Sequence, residues 1–199
     1  MKRTLSIIAL AVLGVGAVLF VLVQENYEQN YPVYIATIND IPIPLDQYII
    51  YLRTTVMELF EIGGEDIWHY TMTIEGMPTE EFAKHHALEL IIYITLTNSQ
   101  ANLQLTEEQR DLAITQAQNI FDGFSDTEQE RFDISVIENV RADILLHEST
   151  IQYLTQNYHP DERQAVWDVL YAQIRESAIL IINTQTWDHL DISYVKATF

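Results

Sequence analysis

The fold is decided by the stretch "YIATINDIPIPLDQYIIYLR", which is Tyr34–Arg53. The residues before the turn have strand character, because Val33, Ile35 and Thr37 fall on one face of an extended chain. "NDIPIP" predicts a turn, since Asn and Asp favour turns and the two prolines cannot donate ladder hydrogen bonds. The stretch therefore predicts one short strand that feeds directly into a helix.

That first helix is predicted from about Leu45 to Ile62. Its apolar residues recur at helical spacing and form one stripe: Tyr48, Ile49, Leu52, Val56, Leu59 and Phe60. Gly63 and Gly64 follow, and glycine at this place commonly ends a helix.

Four more helices are predicted after a loop that is rich in aromatic residues and methionine. They cover residues 79–102, 107–121, 134–156 and 160–176, with an extra helical start at Ser125. The second helix contains "LELIIYITL", which is apolar nearly all round and predicts the most buried element. "AILIIN" at 178–183 predicts a second strand. The pattern indicates a mainly α domain of about five helices over residues 33–199.

Residues 1–24 predict a transmembrane signal anchor. Lys2 and Arg3 precede an uncharged, apolar run at 4–24, which as a helix would span about 30 Å and match the hydrocarbon core. A cleavable signal peptide is the alternative, but the apolar run continues directly past the small-residue segment Val15–Ala17. The positive-inside rule then predicts a single-pass protein of the cell membrane. Residues 25–32 form a polar stalk, and the domain is extracytoplasmic.

The charge balance argues against nucleic-acid binding. Ten basic residues against 29 acidic ones give a formal charge of −19, which would repel nucleic acid. The same balance is typical of an ordinary solvated acidic surface. The chain has no cysteine, so disulfides and thiol catalysis are excluded.

No motif for catalysis or cofactor binding is present. The chain lacks a glycine-rich phosphate loop, a GxSxG elbow and an HExxH helix. His85, His86 and Glu89 stand at helical spacing, but ligands on one helix without a partner elsewhere do not define a metal site. We therefore expect no enzyme activity, no cofactor and no metal.

Methionine and aromatic residues concentrate around the end of the first helix and the loop after it. Flexible thioethers and flat rings suit a surface that accepts varied apolar partners. Ordinary core packing under a loop is the alternative. The predicted peptide-binding residues are Met57, Phe60, Trp68, Tyr70, Met72 and Met77.

Several segments resemble the SurA/PrsA-type chaperone domain, and together they span roughly residues 33–190. "IATINDIPIPLDQYIIYL" is similar to the opening of that domain, and "GEDIW" to the loop after its first helix. "LELIIYITLTNSQANLQLTEEQRD" resembles its second helix and capped third helix, and "AILIINTQTWD" its closing strand. Two positions depart from the family pattern: Asp40 replaces the usual glycine, and Pro44 stands where Ser or Thr would cap the helix.

The resemblance implies that the first strand, Tyr34–Ile38, pairs with 178–183 from the far end of the chain in a small two-stranded sheet. The helices between them would form a cradle for unfolded peptide. Many members carry a parvulin prolyl isomerase domain between the fourth and fifth helices, and "NYHPDER" is too short to hold one. The expected function is a membrane-anchored, extracytoplasmic chaperone-like protein that binds unfolded exported polypeptides without isomerase activity. The alternative is a scaffold subunit of a cell-envelope assembly with one fixed protein partner.

Overall fold

A computed structural model describes residues 33–72, 76–192 and 195, and from Tyr34 onward they belong to one compact unit. Within that part of the chain the fold is mainly helical, with a small sheet. The predicted anchor at 1–24 and stalk at 25–32 lie outside the described residues. None of the described helices is long and apolar enough to cross a membrane.

The helices begin and end close to the places that the sequence indicates. Their bounds are α1 Leu45–Gly63, α2 Thr79–Asn98, α3 Glu107–Asp122, α4 Asp126–Gln129, α5 Ile134–Thr155, α6 Arg163–Ser177 and α7 Thr184–Asp188. A single 3-10 turn, Pro160–Glu162, precedes α6. Thr106 and Gln109 form a capping box at the start of α3. Gly64 ends α1 with a positive φ of 58°, a conformation that favours glycine. The predicted end of the second helix at residue 102 is wrong, because α2 stops at Asn98.

The sheet has one strand more than predicted. β1 (Tyr34–Ile38) lies between β2 (Ile41–Pro44) and β5 (Leu180–Ile182), and both pairings are antiparallel. The prediction of a turn over "NDIPIP" is therefore wrong beyond its first two residues. Asn39 and Asp40 have φ values of 48° and 65°, which is the primed geometry of a two-residue hairpin.

The prolines fit this hairpin because β2 is an edge strand. Pro42 lies opposite Thr37, one pair beyond the residues that flank the two-residue turn. In such a hairpin that second pair does not exchange hydrogen bonds, so the proline nitrogen lies on the outer edge and no ladder bond is lost. Pro44 then ends the strand and precedes α1 without any side-chain cap.

β1 and β5 bring the two ends of the described chain together. Ala36 pairs with Ile182 and Ile38 with Leu180, as the resemblance implied. An asparagine closes each end of this ladder. Asn39 Oδ1 accepts a hydrogen bond of 2.9 Å from the Ile179 N–H, and Asn183 Nδ2 donates one of 3.0 Å to the Tyr34 carbonyl. These side chains supply bonds that two short strands alone would lack.

The core lies where α1, α2 and α5 meet under the sheet, and α3 packs on α5. Tyr48 of α1 is fully buried, and its hydroxyl donates to the Lys84 carbonyl of α2 at 2.9 Å. Leu52, Ile92 and Ile137 bring three helices to the same centre. α2 contributes the largest set of buried residues, which confirms the expectation from its apolar sequence.

Candidate functional site

The methionine- and aromatic-rich loop folds into two small elements. Gly64–His69 forms a 3-10 turn, and β3 (Thr71–Met72) pairs with β4 (Met77–Pro78) in a short hairpin. Met72 and Met77 lie directly opposite each other in this hairpin, and both are half-buried. Tyr70, just before it, is 60% exposed. The structure thus brings three of the six predicted peptide-binding residues to one side of the molecule.

The other three predicted residues have different surroundings. Trp68 is half-buried and packs against the core. Met57 lies beside Arg53, whose Nη1 donates to the Met57 Sδ at 2.8 Å. Phe60 is half-buried near the end of α1. Trp68 therefore has a packing role, whereas the assignment of all six residues to peptide binding stays a prediction.

A cavity of about 330 Å³ lies between α1, α2, α3 and α5. Most of its wall is aliphatic or aromatic, and none of the six predicted residues lines it. Its apolar lining includes Ile50, Ile94, Ile120, Ile137, Val140 and Ile144. Its volume falls within the range of small-molecule sites.

On one polar wall of the cavity the charged groups are paired within the protein, and we call it the closed wall. The Arg53 Nε lies 2.6 Å from the Glu128 Oε1; Glu128 is buried, and the Arg53 side chain is 12% exposed. Ser125 donates to Glu128 Oε2 through its N–H at 2.8 Å and its hydroxyl at 2.9 Å. The Arg53 guanidinium also lies 4.1 Å from the centroid of the Phe124 ring. Burial acts to raise the pKa of Glu128, but these hydrogen bonds and the Arg53 charge outweigh it and hold the pKa below its usual value.

The second polar wall, on α5, has polar groups that lack charged or hydrogen-bonding partners among the described residues, and we call it the open wall. The Arg141 Nε and Nη2 donate to one oxygen of Gln116 at 2.9 and 2.7 Å, and no described residue forms an ion pair with Arg141. His147 is 9% exposed, and its Nδ1 has no hydrogen-bond partner among the described residues. Its ring lies edge-on to Tyr93, with the centroids 4.6 Å apart. Burial lowers the pKa of His147, so the ring is neutral at pH 7.

Asp143 lies on the same helix as Arg141 and His147. Burial raises the pKa of Asp143 to about 6. No described group donates a hydrogen bond to its carboxylate, although its backbone carbonyl accepts one of 3.0 Å from the Asn98 side chain. Its charge acts on Tyr51, whose pKa is raised first by burial and then by Asp143. α5 therefore also holds a carboxylate that burial destabilises, and this residue is not part of the cavity lining.

Among the described ranges, no group of three or more His, Asp or Glu side chains is placed to hold a metal ion. Glu89, which the sequence places near His85 and His86, instead pairs with Arg175 at 3.1 Å. An apolar space with a few polar groups at its walls is the usual form of a small-molecule pocket.

The cavity was missed by sequence reasoning, although a signal was present. Ile137, Val140 and Ile144 recur at helical spacing on α5, and His147 stands three positions further on. A histidine that continues an apolar stripe faces the same interior as its neighbours. Which helices surround that interior depends on tertiary packing, which the stripe alone does not reveal.

Comparisons with protein-family models, curated proteins and solved structures find no match to this chain.

Proposed function

We propose that this chain is a membrane-anchored, extracytoplasmic chaperone-like protein of the SurA/PrsA type. It binds unfolded exported polypeptides through exposed apolar side chains and has no isomerase activity. It needs neither nucleotide nor metal for this function.

The observation that carries this proposal is the pairing of β1 with β5. The resemblance implied that pairing, and neither composition nor helical periodicity did. The register pairs Ala36 with Ile182. In sequence, α1 to α6 lie between these two strands. The connection from α5 to α6 spans only residues 156–162, which leaves no room for an inserted domain. This supports the expected absence of a prolyl isomerase.

The β3–β4 hairpin is the surface that we assign to client binding. Tyr70 is largely exposed, and the paired Met72 and Met77 are half-buried beside it. An unfolded client exposes apolar side chains, and covering them yields about 25 cal/mol per Å². Because binding also orders the client, the expected affinity is roughly micromolar.

The test is suppression of aggregation by residues 25–199, with a denatured, unrelated protein as client and no nucleotide added. The double variant Tyr70→Ser, Met72→Ser should lose most of the suppression and keep its helical circular dichroism. Tyr153→Ser is the matched control, because Tyr153 is 51% exposed on α5, away from the hairpin. Trp68 is left intact, since it packs against the core.

Three results would contradict the proposal. Equal suppression by the double variant would remove the hairpin from the site. Acceleration of proline isomerisation in a peptide assay would contradict the absence of isomerase activity. A wild-type domain that ignores unfolded clients but captures one folded envelope protein would favour the scaffold alternative.

A further inference from the structure

The cavity between α1, α2, α3 and α5 has the opposite charge character to the chain as a whole. The chain carries 29 acidic and ten basic residues. No Asp or Glu lines the cavity, whereas Arg53 and Arg141 both do. A site without carboxylates in so acidic a protein favours an anionic ligand.

The two arginines are not equivalent. Arg53 is neutralised by Glu128 at 2.6 Å. Arg141 bonds only the neutral side-chain oxygen of Gln116, through two of its five N–H donors. Its charge therefore has no anionic partner among the described residues. A guanidinium in this state is suited to a carboxylate, which it can bind with two parallel hydrogen bonds.

His147 is an independent sign of a ligand. It lines the same cavity, is 9% exposed and has an unpartnered Nδ1. A buried polar atom without a partner is costly unless something else satisfies it. Six positions separate Arg141 from His147, or about 9 Å along the axis of α5. A ligand that reaches both is extended and carries a neutral hydrogen-bonding group away from its charged end.

The volume sets the size of that ligand. An apolar cavity of about 150 Å³ holds one benzene molecule. The 330 Å³ measured here is roughly twice that, so it holds about a dozen non-hydrogen atoms. A carboxylic acid with about ten carbons has this number of atoms.

We propose that the cavity binds a small amphiphilic carboxylic acid. Its carboxylate bonds Arg141, its apolar body lies against Ile94 and Ile144, and a hydroxyl or carbonyl group on the body reaches His147. This site is separate from the β3–β4 hairpin, and it does not depend on client binding there.

The experiment is calorimetric titration of the full chain in phospholipid nanodiscs, with decanoate, decanol and decylamine as probes. The three share one apolar body and differ in head group. Decanoate should bind at least about tenfold more tightly than decanol, because a charge-assisted bond to Arg141 is gained. Decylamine should bind most weakly. A series from hexanoate to tetradecanoate should show an optimum near ten carbons, because the cavity has a fixed volume.

The variants separate the Arg141 site from general adsorption. Arg141→Met should reduce the preference for decanoate over decanol to within about twofold, and Arg141→Lys should restore part of it. Arg110→Met has the same net charge but changes an exposed residue on α3, and it should bind like the wild type. Gln116→Glu is a second test that leaves the cavity wall in place. Its carboxylate should occupy Arg141 and weaken decanoate at least about tenfold.

His147 is tested by 10-hydroxydecanoate. Its hydroxyl should improve binding about fivefold over decanoate in the wild type and not in His147→Phe. Equal binding of the two acids by the wild type would overturn the role of His147. The whole proposal is overturned if decanol binds as tightly as decanoate, if Arg141→Met keeps the preference, or if affinity rises steadily with chain length.

Discussion

The two polar walls of the cavity contain similar residues in opposite states. On the α1–α4 side, Arg53, Glu128 and Ser125 satisfy one another at distances of 2.6–2.9 Å. On the α5 side, Arg141 has only a neutral partner, and the His147 Nδ1 has none among the described residues. The comparison teaches that a buried polar group stabilises a fold when its partners are built in. Where they are not, the group costs stability and is available to a ligand.

The largest expected effect is on the closed wall. Glu128→Gln leaves the largely buried Arg53 without its charge partner and should lower the free energy of unfolding by about 3 kcal/mol. Because the pKa of Glu128 is depressed, its contribution is present above pH 4.5 and is lost as pH falls through the folded value. Urea unfolding at pH 7.5 and pH 3.5 measures both effects. The exposed neighbour Glu130→Gln is the control and should change stability by less than about 0.5 kcal/mol.

The second expected change in stability has the opposite sign and concerns Asp143, which lies on α5 outside the cavity lining. Asp143→Asn removes a carboxylate that burial disfavours, so it should stabilise the protein at pH 7.5. A shift from 3.8 to about 6 corresponds to about 3 kcal/mol, and solvent screening at this half-buried group lowers the expected gain to about 1–2 kcal/mol. The raised pKa means that wild-type stability falls as pH rises from about 4 to 6, so the gain should vanish near pH 4. A loss of stability at pH 7.5 would show that Asp143 makes a favourable contact, and the exposed Glu148→Gln should change nothing.

A smaller effect is expected at His147. His147→Phe keeps an aromatic ring against Tyr93 and removes the unpartnered nitrogen, so at pH 7.5 stability should stay within about 1 kcal/mol of the wild type. The pKa of His147 is depressed below 6.5, and the unfolded state therefore binds more protons as pH falls. The variant should gain stability relative to the wild type between pH 7 and pH 5. Thermal melts at the two pH values test this. If the difference in melting temperature between the variant and the wild type does not grow from pH 7 to pH 5, the His147 ring accepts a proton freely in the folded protein.

The smallest stability effect is expected at Arg141. Arg141→Met loses hydrogen bonds to a neutral amide and keeps an unbranched apolar stem, so the free energy of unfolding should change by less than about 1 kcal/mol. Chemical denaturation compares it directly with Glu128→Gln. Equal losses in the two variants would contradict the distinction between a closed and an open wall.

Local signals predicted the helices well. The Thr106–Gln109 capping box and Gly63-Gly64 mark helix ends through bonds between residues only a few positions apart. The β2 strand was not predicted because two of its four residues are prolines, which are unfavourable inside a sheet. Asn39-Asp40 is a turn that favours positive φ at both positions, and it predicts a strand on each side.

The polar walls could not be predicted in the same way. Arg53 and Glu128 are 75 positions apart, and the sequence around either residue does not indicate that the other is its partner. The same holds for Gln116 and Arg141, which are 25 positions apart on two helices. Such partners are determined by how helices pack, so the sequence offers only the weaker hint of charged residues inside apolar stripes.

The β1–β5 ladder also has a consequence for folding during synthesis, because its two strands are far apart in the sequence. During synthesis the β1–β2 hairpin is available as soon as Pro44 has been made, but β1 must wait for a strand about 140 residues later. Closing so long a loop costs about 4 kcal/mol of chain entropy, which only the helices packed in between can offset. The ladder therefore cannot form before Leu180–Ile182 has been synthesised. A polypeptide that stops before Leu180 leaves one edge of β1 unpaired. An unpaired strand edge can form hydrogen bonds with another chain and so promote aggregation.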